Sequence, residues 1–144
     1  MDSRPVLSRD LRGLVETRMR KTLEGIEKTL QHILEHEKLD LEELKVSIQD
    51  LEESFNLLSQ KWNLQILYIL FLRNAVGFGE MKRILGANSR TLSDKLKALD
   101  QYEYVERSVE QGPPLRVRYS LTRRGWNTIL LALPLLYYSS TNLE

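Results

Sequence analysis

Two histidines have the spacing in this sequence that best suits a metal ion. His32 and His36 are four residues apart, so on a helix they share a face, and with Glu35 they form the H-x-x-E-H pattern of inverted zinc peptidases. A zinc peptidase also needs a third ligand and a substrate cleft, and a heptad-patterned helix supplies neither. We expect solvent-facing or hairpin-tip histidines, no metal site and no cofactor.

The sequence also lacks the residues and motifs that other kinds of catalysis need. The 144 residues include no cysteine, which excludes a disulfide framework, a thiol nucleophile and a thiolate zinc site. The sequence shows no Gly-rich phosphate loop, no paired-carboxylate motif and no nucleophile elbow, so we predict that the protein is not an enzyme. We also expect no membrane span, because the longest apolar run, 129–138, is about half the required length and contains Pro134.

The distribution of charge suggests a polyanionic partner. Residues 60–126 carry twelve Lys or Arg against six Asp or Glu, whereas residues 1–59 carry nine against thirteen. Clustered positive charge is typical of a surface that binds nucleic acid. Two ordinary solvated faces are the alternative interpretation.

Residues 89–102 predict a helix with one apolar and one charged face. Leu92, Leu96 and Leu99 form the apolar face, and the opposite direction and its flanks carry Arg90, Ser93, Asp94, Lys95 and Lys97. Arg90 can pair with guanine, and the lysines can reach phosphates. Asp94 can either accept from a cytosine amino group or pair with Arg90.

Residues 105–121 alternate between apolar and polar side chains on either side of the loop at 111–114. This pattern predicts a β-hairpin with one apolar and one basic face. Arg116 and Arg118 project from the polar face, where they can enter a minor groove or contact a phosphate. Near the helix ends, further basic residues can position the DNA backbone: Lys82, Arg83, Arg123 and Arg124.

The elements that must position these side chains are helices separated by tight turns. Residues 61–74 are almost all apolar and predict a buried helix. Residues 80–85 predict a short helix with Met81, Ile84 and Leu85 inward, followed by Gly86 as a C-cap and by Asn88 or Ser89 as the next N-cap. Helix, short helix, turn, helix and hairpin together are typical of a winged helix-turn-helix.

The chain ends in a predicted helix and begins with two heptad-patterned segments. Thr122 can cap a helix that runs to about Tyr138 and is kinked or ended near Pro134. Apolar residues are spaced 4, 3, 4, 3 from Met19 and 3, 4, 3, 4, 3 from Leu41, where Asp40 and Glu43 resemble a capping box. We expect a helical hairpin or coiled coil that packs on the chain or dimerises, through Leu23, Ile26, Leu30, Ile33, Leu44, Ile48, Leu51 and Phe55.

Residues 61–133 resemble the HxlR-type members of the MarR-like winged-helix regulators. The resemblance rests on KW at 61–62, GFGEMKRIL at 77–85, SRTLSDKLKAL at 89–99, YVERSV at 104–109, PPLRVRYSLT at 113–122 and Gly125. It implies a homodimeric, sequence-specific transcription regulator, with Arg90, Thr91, Ser93 and Lys97 on the recognition helix and Arg116 and Arg118 on the wing. We also expect Ser89, at the start of this helix, to contact DNA. The chain departs from the family's pattern in having Tyr102-Glu103-Tyr104 where a glycine is usual, and in lacking a regulatory cysteine near the N-terminus.

We therefore predict a mainly α fold with a small β-hairpin wing. Its segments are a helical hairpin or coiled-coil dimerisation region at 1–59, a winged helix-turn-helix at 60–126 and a C-terminal helix at 127–144. The C-terminal helix serves either dimer or core packing, and it is an alternative to 1–59 as the main dimer interface. The expected partners are double-stranded DNA, a second copy and a small-molecule effector of unknown kind, and the expected location is cytoplasmic and nucleoid-associated. Two alternatives stay open: a sequence-independent architectural DNA-binding protein, and a protein-interaction module that uses the acidic coiled coil.

Overall fold

A computed structural model describes residues 6–38 and 40–140 of the protein. Parts of two predicted segments lie outside the described residues: 1–5 and 39 of the segment 1–59, and 141–144 of the segment 127–144. The chain divides into two compact units. One combines Met1–Glu52 with Leu131–Glu144, and the other is Glu53–Leu130.

The first unit is helical. Helix α1 is Val6–Leu14, a π-helical segment follows at Val15–Met19, and α2 is Arg20–His36. Helix α3, Leu41–Ser59, belongs to this unit as far as Glu52 and to the second unit from Glu53. It begins as predicted at Asp40, whose Oδ1 accepts the Glu42 backbone N–H at 3.0 Å. Late in the chain, Tyr137 of this unit accepts a 2.9 Å hydrogen bond from Arg12 Nε through its hydroxyl oxygen.

The heptad-patterned helices bury very little within one chain. None of the α2 residues is buried, and Leu58 is the buried residue of α3. All eight residues assigned to dimerisation are 38% to 70% exposed. The structure thus confirms two helices separated by a break, and leaves the coiled coil a prediction.

The second unit carries the remaining elements. They are α4 (Asn63–Leu72), β1 (Val76–Gly77), α5 (Phe78–Leu85), α6 (Ser89–Gln101), β2 (Val105–Glu110), β3 (Arg116–Leu121) and the first part of α7 (Arg123–Ser140). The predicted hairpin is confirmed, and β1 adds to it an unpredicted third strand in the antiparallel order β1-β3-β2. The fold is a winged helix: mainly helical, with a small sheet.

The core of this unit lies where α4, α5, α6 and the sheet converge. Its fully buried side chains come from every one of these elements and from α7: Ile66, Leu67, Leu70, Val76, Met81, Leu92, Leu96, Leu99, Val105 and Ile129. Ile84 was expected to point inward, and that prediction is wrong because the residue is 48% exposed. On a helix as short as α5, Met81 is the residue that enters the core, and Ile84 lies off that direction.

Two turns are closed in ways that the sequence only partly revealed. Gly86 ends α5 in the left-handed conformation, as a C-cap glycine does. After α6, Glu103 adopts φ 65° and so occupies the left-handed conformation that a glycine would provide at this turn. Helix α7 extends to Ser140, close to the predicted end at about Tyr138, and it continues through Pro134, so of the two alternatives given for this proline the ended helix is excluded.

Candidate nucleic-acid interface

Helix α6 is fixed at its start by a side-chain cap and along its length by a buried face. The Asn88 side-chain oxygen accepts the Thr91 backbone N–H at 2.8 Å, which settles the choice between Asn88 and Ser89. Leu92, Leu96 and Leu99 are buried. The opposite face is therefore exposed, and it carries Arg90, Asp94 and Lys97.

Asp94 and Arg90 do not pair in the described part of the chain, where no ion pair is recorded between them. The predicted pairing is therefore not seen, and the role of Asp94 as an acceptor for a cytosine amino group stays a prediction. Ser89, in the first turn of α6, is exposed, and Thr91 and Ser93 are half-buried on the flanks.

Polar contacts brace α6 and the short helix before it. Lys95 Nζ donates a 3.0 Å hydrogen bond to Gln60 Oε1, so this lysine is held by the segment that follows α3. Arg73, at the end of α4, forms a 2.7 Å ion pair with Glu80 in the first turn of α5. Lys82 and Arg83 are exposed on α5, as a role in backbone contacts requires.

The turn after α6 is joined to the start of α7 by a compact hydrogen-bond group. The Thr122 hydroxyl donates to the Glu103 carbonyl oxygen at 2.6 Å and accepts the Gly125 N–H at 3.0 Å. The Tyr104 carbonyl oxygen accepts the Thr122 N–H at 3.1 Å. A Cβ at Gly125 would lie 2.1 Å from that oxygen, so only glycine allows this approach. Thr122 is confirmed as the cap of α7.

The two arginines that follow Thr122 have different surroundings. The Arg124 guanidinium lies over the Tyr104 ring at 4.7 Å from its centre, which covers the tyrosine and restrains the arginine. Arg123 is exposed and lines a shallow surface depression of about 510 Å³ with Glu106, Leu121, Thr122 and Trp126. Trp126 itself stacks on Phe71, with ring centres 4.4 Å apart, so it packs within this unit.

The hairpin register corrects the predicted basic face. Residues paired across antiparallel strands lie on the same face, and Ser108 pairs with Arg118 while Glu110 pairs with Arg116. The polar face therefore carries Glu106 and Glu110 as well as both arginines, and it is mixed in charge rather than basic. Arg118 Nε lies 3.1 Å from Glu110 Oε1, whereas Arg116 is exposed. Sequence alternation alone could not reveal this pairing.

Arg107 was not among the residues that the sequence predicted to contact DNA. It is exposed, and it lies on the apolar face of β2 between Val105 and Val109. Its position as a single basic residue within the apolar alternation of β2 was the feature of the sequence that could have drawn attention to it.

The two histidines on α2 interact with each other. Their ring centres are 4.2 Å apart, and His36 Nδ1 lies 2.9 Å from the carbonyl oxygen of His32. Within the described residues, no group of three or more potential metal ligands comes together.

Comparison with known proteins decides the family. The model of the HxlR-like helix-turn-helix family matches residues 57–142, which is more than half of the chain. The chain belongs to the HxlR-like helix-turn-helix family. The match includes every element from α4 to α7 and begins inside α3, so α1 and α2 lie outside the HxlR-like region.

Relatives of this HxlR-like chain are named as transcriptional regulators. The HTH-type transcriptional regulator YdzF of Bacillus subtilis is 37% identical over 65 residues, which span 44% of this chain and 60% of YdzF. The reduced form of the transcriptional regulator YodB from B. subtilis is 28% identical, with a TM-score of 0.59 over 66% of this chain and 93% of YodB. A MarR-family regulator from Enterococcus faecalis is 26% identical, with a TM-score of 0.59 over 63% of this chain and 83% of its own.

Over residues 6–38 and 40–140, no helix has both the length and the apolar character that crossing a membrane demands.

Proposed function

We propose that the protein is a transcriptional regulator that binds a specific sequence of double-stranded DNA. The observation that supports this proposal most directly is the exposed face of α6. Arg90, Asp94 and Lys97 project from it, and the opposite face of the helix is buried. An α-helix fits the major groove of B-DNA, and its N-terminal residues are those that usually contact base edges. Arg90 occupies that position, one turn before Asp94.

The rest of the proposed interface contacts phosphates. Lys97, Lys82 and Arg83 are exposed on α6 and on the preceding helix, and Arg123 is exposed at the start of α7. Such contacts carry little sequence information, but they fix the register of the recognition helix on the duplex. Lys95 and Arg124 join this set with less freedom, because Gln60 holds the first and Tyr104 the second.

We infer that the protein acts as a homodimer held by α2 and α3. Eight apolar side chains repeat at heptad spacing on these helices, and in one chain all of them are substantially exposed. Apolar surface repeated at this spacing is stabilised when a second helix covers it. A two-fold dimer would place its recognition helices in successive major grooves, so the operator would be a pseudo-palindrome.

The absence of cysteine limits the chemistry of any signal that acts on these 144 residues. YodB has been solved in diamide-treated and quinone-bound forms, and HypR, described as a redox regulator, in reduced and oxidised forms. The 144 residues of this chain include no cysteine, so a signal received by them cannot be thiol chemistry. We propose either an effector that acts without a thiol or DNA binding that needs no effector.

The test is a salt titration of DNA binding followed by fluorescence anisotropy. Labelled fragments from the region upstream of the gene are compared with scrambled fragments of equal length. We expect steep salt dependence together with a clear preference for the native fragment. The same slope without preference would support an architectural protein, and the absence of binding at low salt would contradict DNA binding altogether.

A further inference from the structure

The two faces of the β2–β3 hairpin differ in which neighbours they meet. One face carries Val105, Arg107 and Val109 of β2 together with Val117, Tyr119 and Leu121 of β3, as the register requires. Val105 and Tyr119 are buried, and β2 packs against α6 while β3 packs against α4. This is therefore the face that the hairpin turns toward the recognition helix, and we call it the inner face.

Arg107 is the charged residue of the inner face. It is exposed although Val105, two residues earlier on the same face, is buried, because the hairpin extends beyond the core from this point. Among the described residues, no carboxylate or hydrogen-bond acceptor is recorded as its partner. Its positive charge is thus available on the side of the wing that faces α6.

On the outer face Arg118 is paired with a carboxylate, whereas Arg116 is exposed. Arg116 and Arg118 share it with Glu106 and Glu110, and Glu110 Oε1 lies 3.1 Å from Arg118 Nε. For Arg118 to bind a phosphate, it must either leave Glu110 or bring this carboxylate close to the DNA backbone, and both reduce the gain.

The geometry points to Arg107 as the arginine through which the body of the wing contacts DNA, with Glu110 keeping Arg118 out of that contact. The inference rests on the proposed DNA binding. It adds that Arg107 favours binding and that Glu110 opposes it by holding Arg118. A duplex that occupies α6 with its major groove presents its adjacent backbone to the inner face of the hairpin.

The test uses the full chain and three variants that change one hairpin charge each. Arg107→Ala removes the inner charge, Arg118→Ala removes the same side chain from the outer face, and Glu110→Gln removes the carboxylate that pairs with it. Affinity and salt slope are measured on the native upstream fragment and on scrambled DNA. Circular dichroism confirms that each variant is folded.

We expect Arg107→Ala to weaken binding about tenfold and to lower the salt slope by roughly one unit. Arg118→Ala should stay within about twofold of the wild type, and Glu110→Gln should tighten binding by roughly two- to fivefold as Arg118 is released. Arg107→Lys distinguishes a phosphate contact from a base contact. The variant retains the salt slope if the partner of Arg107 is a phosphate, and it loses affinity for one sequence if the partner is a base.

Two results would overturn the inference, and they differ from failure of the proposed function. An Arg107→Ala variant that binds as the wild type does would remove Arg107 from the interface while leaving DNA binding intact. A larger loss for Arg118→Ala than for Arg107→Ala would assign the contact to the outer face. If the wild-type chain binds no DNA, the proposed function fails and the inference fails with it.

Discussion

Arg90 illustrates how one residue depends on the capping of its helix. It lies in the first turn of α6, two residues after Asn88, whose side chain caps the helix. The cap fixes the direction in which the first turn projects. Arg90 can then make a bidentate contact with guanine only where α6 enters the groove in one register.

Substitution of Arg90 tests base recognition. Arg90→Ala should cost about 1–3 kcal/mol of binding free energy on the preferred site and relax specificity at one base pair. Lys97→Ala is the matched control, because loss of a phosphate contact should weaken native and scrambled DNA alike. Equal losses on both DNAs for Arg90→Ala would show that Arg90 does not contact a base. The measurement is anisotropy with single-base variants of the site.

Substitution of Gly125 tests the close approach of α7 to the turn at Tyr104. A Cβ at this position would lie 2.1 Å from a backbone oxygen, so Gly125→Ala should lower the free energy of unfolding by about 3 kcal/mol. Gly79→Ala is the control, since nothing lies within 4 Å of a Cβ there. It should leave stability unchanged or raise it by up to about 1 kcal/mol. Urea denaturation of both variants measures the difference, and an unchanged midpoint for Gly125→Ala would contradict the packing.

The residues that the sequence identified are those whose roles depend on local spacing. Gly86, Asn88 and Thr122 form their capping hydrogen bonds within four residues of their own position, so the sequence revealed their capping roles. The Arg118–Glu110 ion pair and the isolation of Arg107 depend on strand register across the hairpin. Register follows from the loop geometry and the packed face, which the alternation of side chains does not specify on its own.

At the level of elements, α6 is the one on which the interface depends. Its cap satisfies a backbone donor at the end where recognition residues project, so losing the cap would loosen Arg90 as well as the helix. Helix α6 was identifiable from an apolar periodicity over thirteen residues, and α4 from an almost continuous apolar run over ten residues. Strand β1 is only two residues long and was missed, since so short a strand has no period to detect.

Removal of the cap should therefore affect stability and recognition together. Asn88→Ala should lower the free energy of unfolding by about 1 kcal/mol, and it should reduce the preference for the native DNA fragment. Asn74→Ala, at an exposed position between α4 and β1, is the control and should change neither. Thermal unfolding and the anisotropy comparison give the two readouts. A loss of preference without a loss of stability would indicate that Asn88 itself contacts DNA.

At the level of the whole molecule, the apolar side chains exposed on α2 and α3 are the main unexplained surface. A single chain exposes them at heptad spacing, and none of the α2 residues is buried. The same residues that make the sequence pattern clear leave its partner unspecified, because a heptad repeat fits a second copy or another helix equally well.

Charged substitutions in α2 test whether that partner is a second copy. Ile26→Lys with Leu30→Lys should convert the dimer to a monomer and weaken operator binding, since each half-site is then bound alone. Glu24→Gln with Gln31→Lys adds the same charge outside the heptad positions and should leave the dimer intact. Light scattering after size exclusion measures the mass. A wild-type chain that is monomeric at micromolar concentration would contradict dimerisation through these helices.

The hydrogen-bond group around Tyr104 has a consequence for protein engineering. Exchanging recognition helices between relatives is the direct way to make regulators with new operators. In this protein the turn between α6 and β2 is joined to the first turn of α7 by hydrogen bonds among Glu103, Tyr104, Thr122 and Gly125. A donor sequence cut at the ends of α6 would leave half of that group behind. The smallest transferable module should therefore run from Asn88 to Gly125, with the wing included.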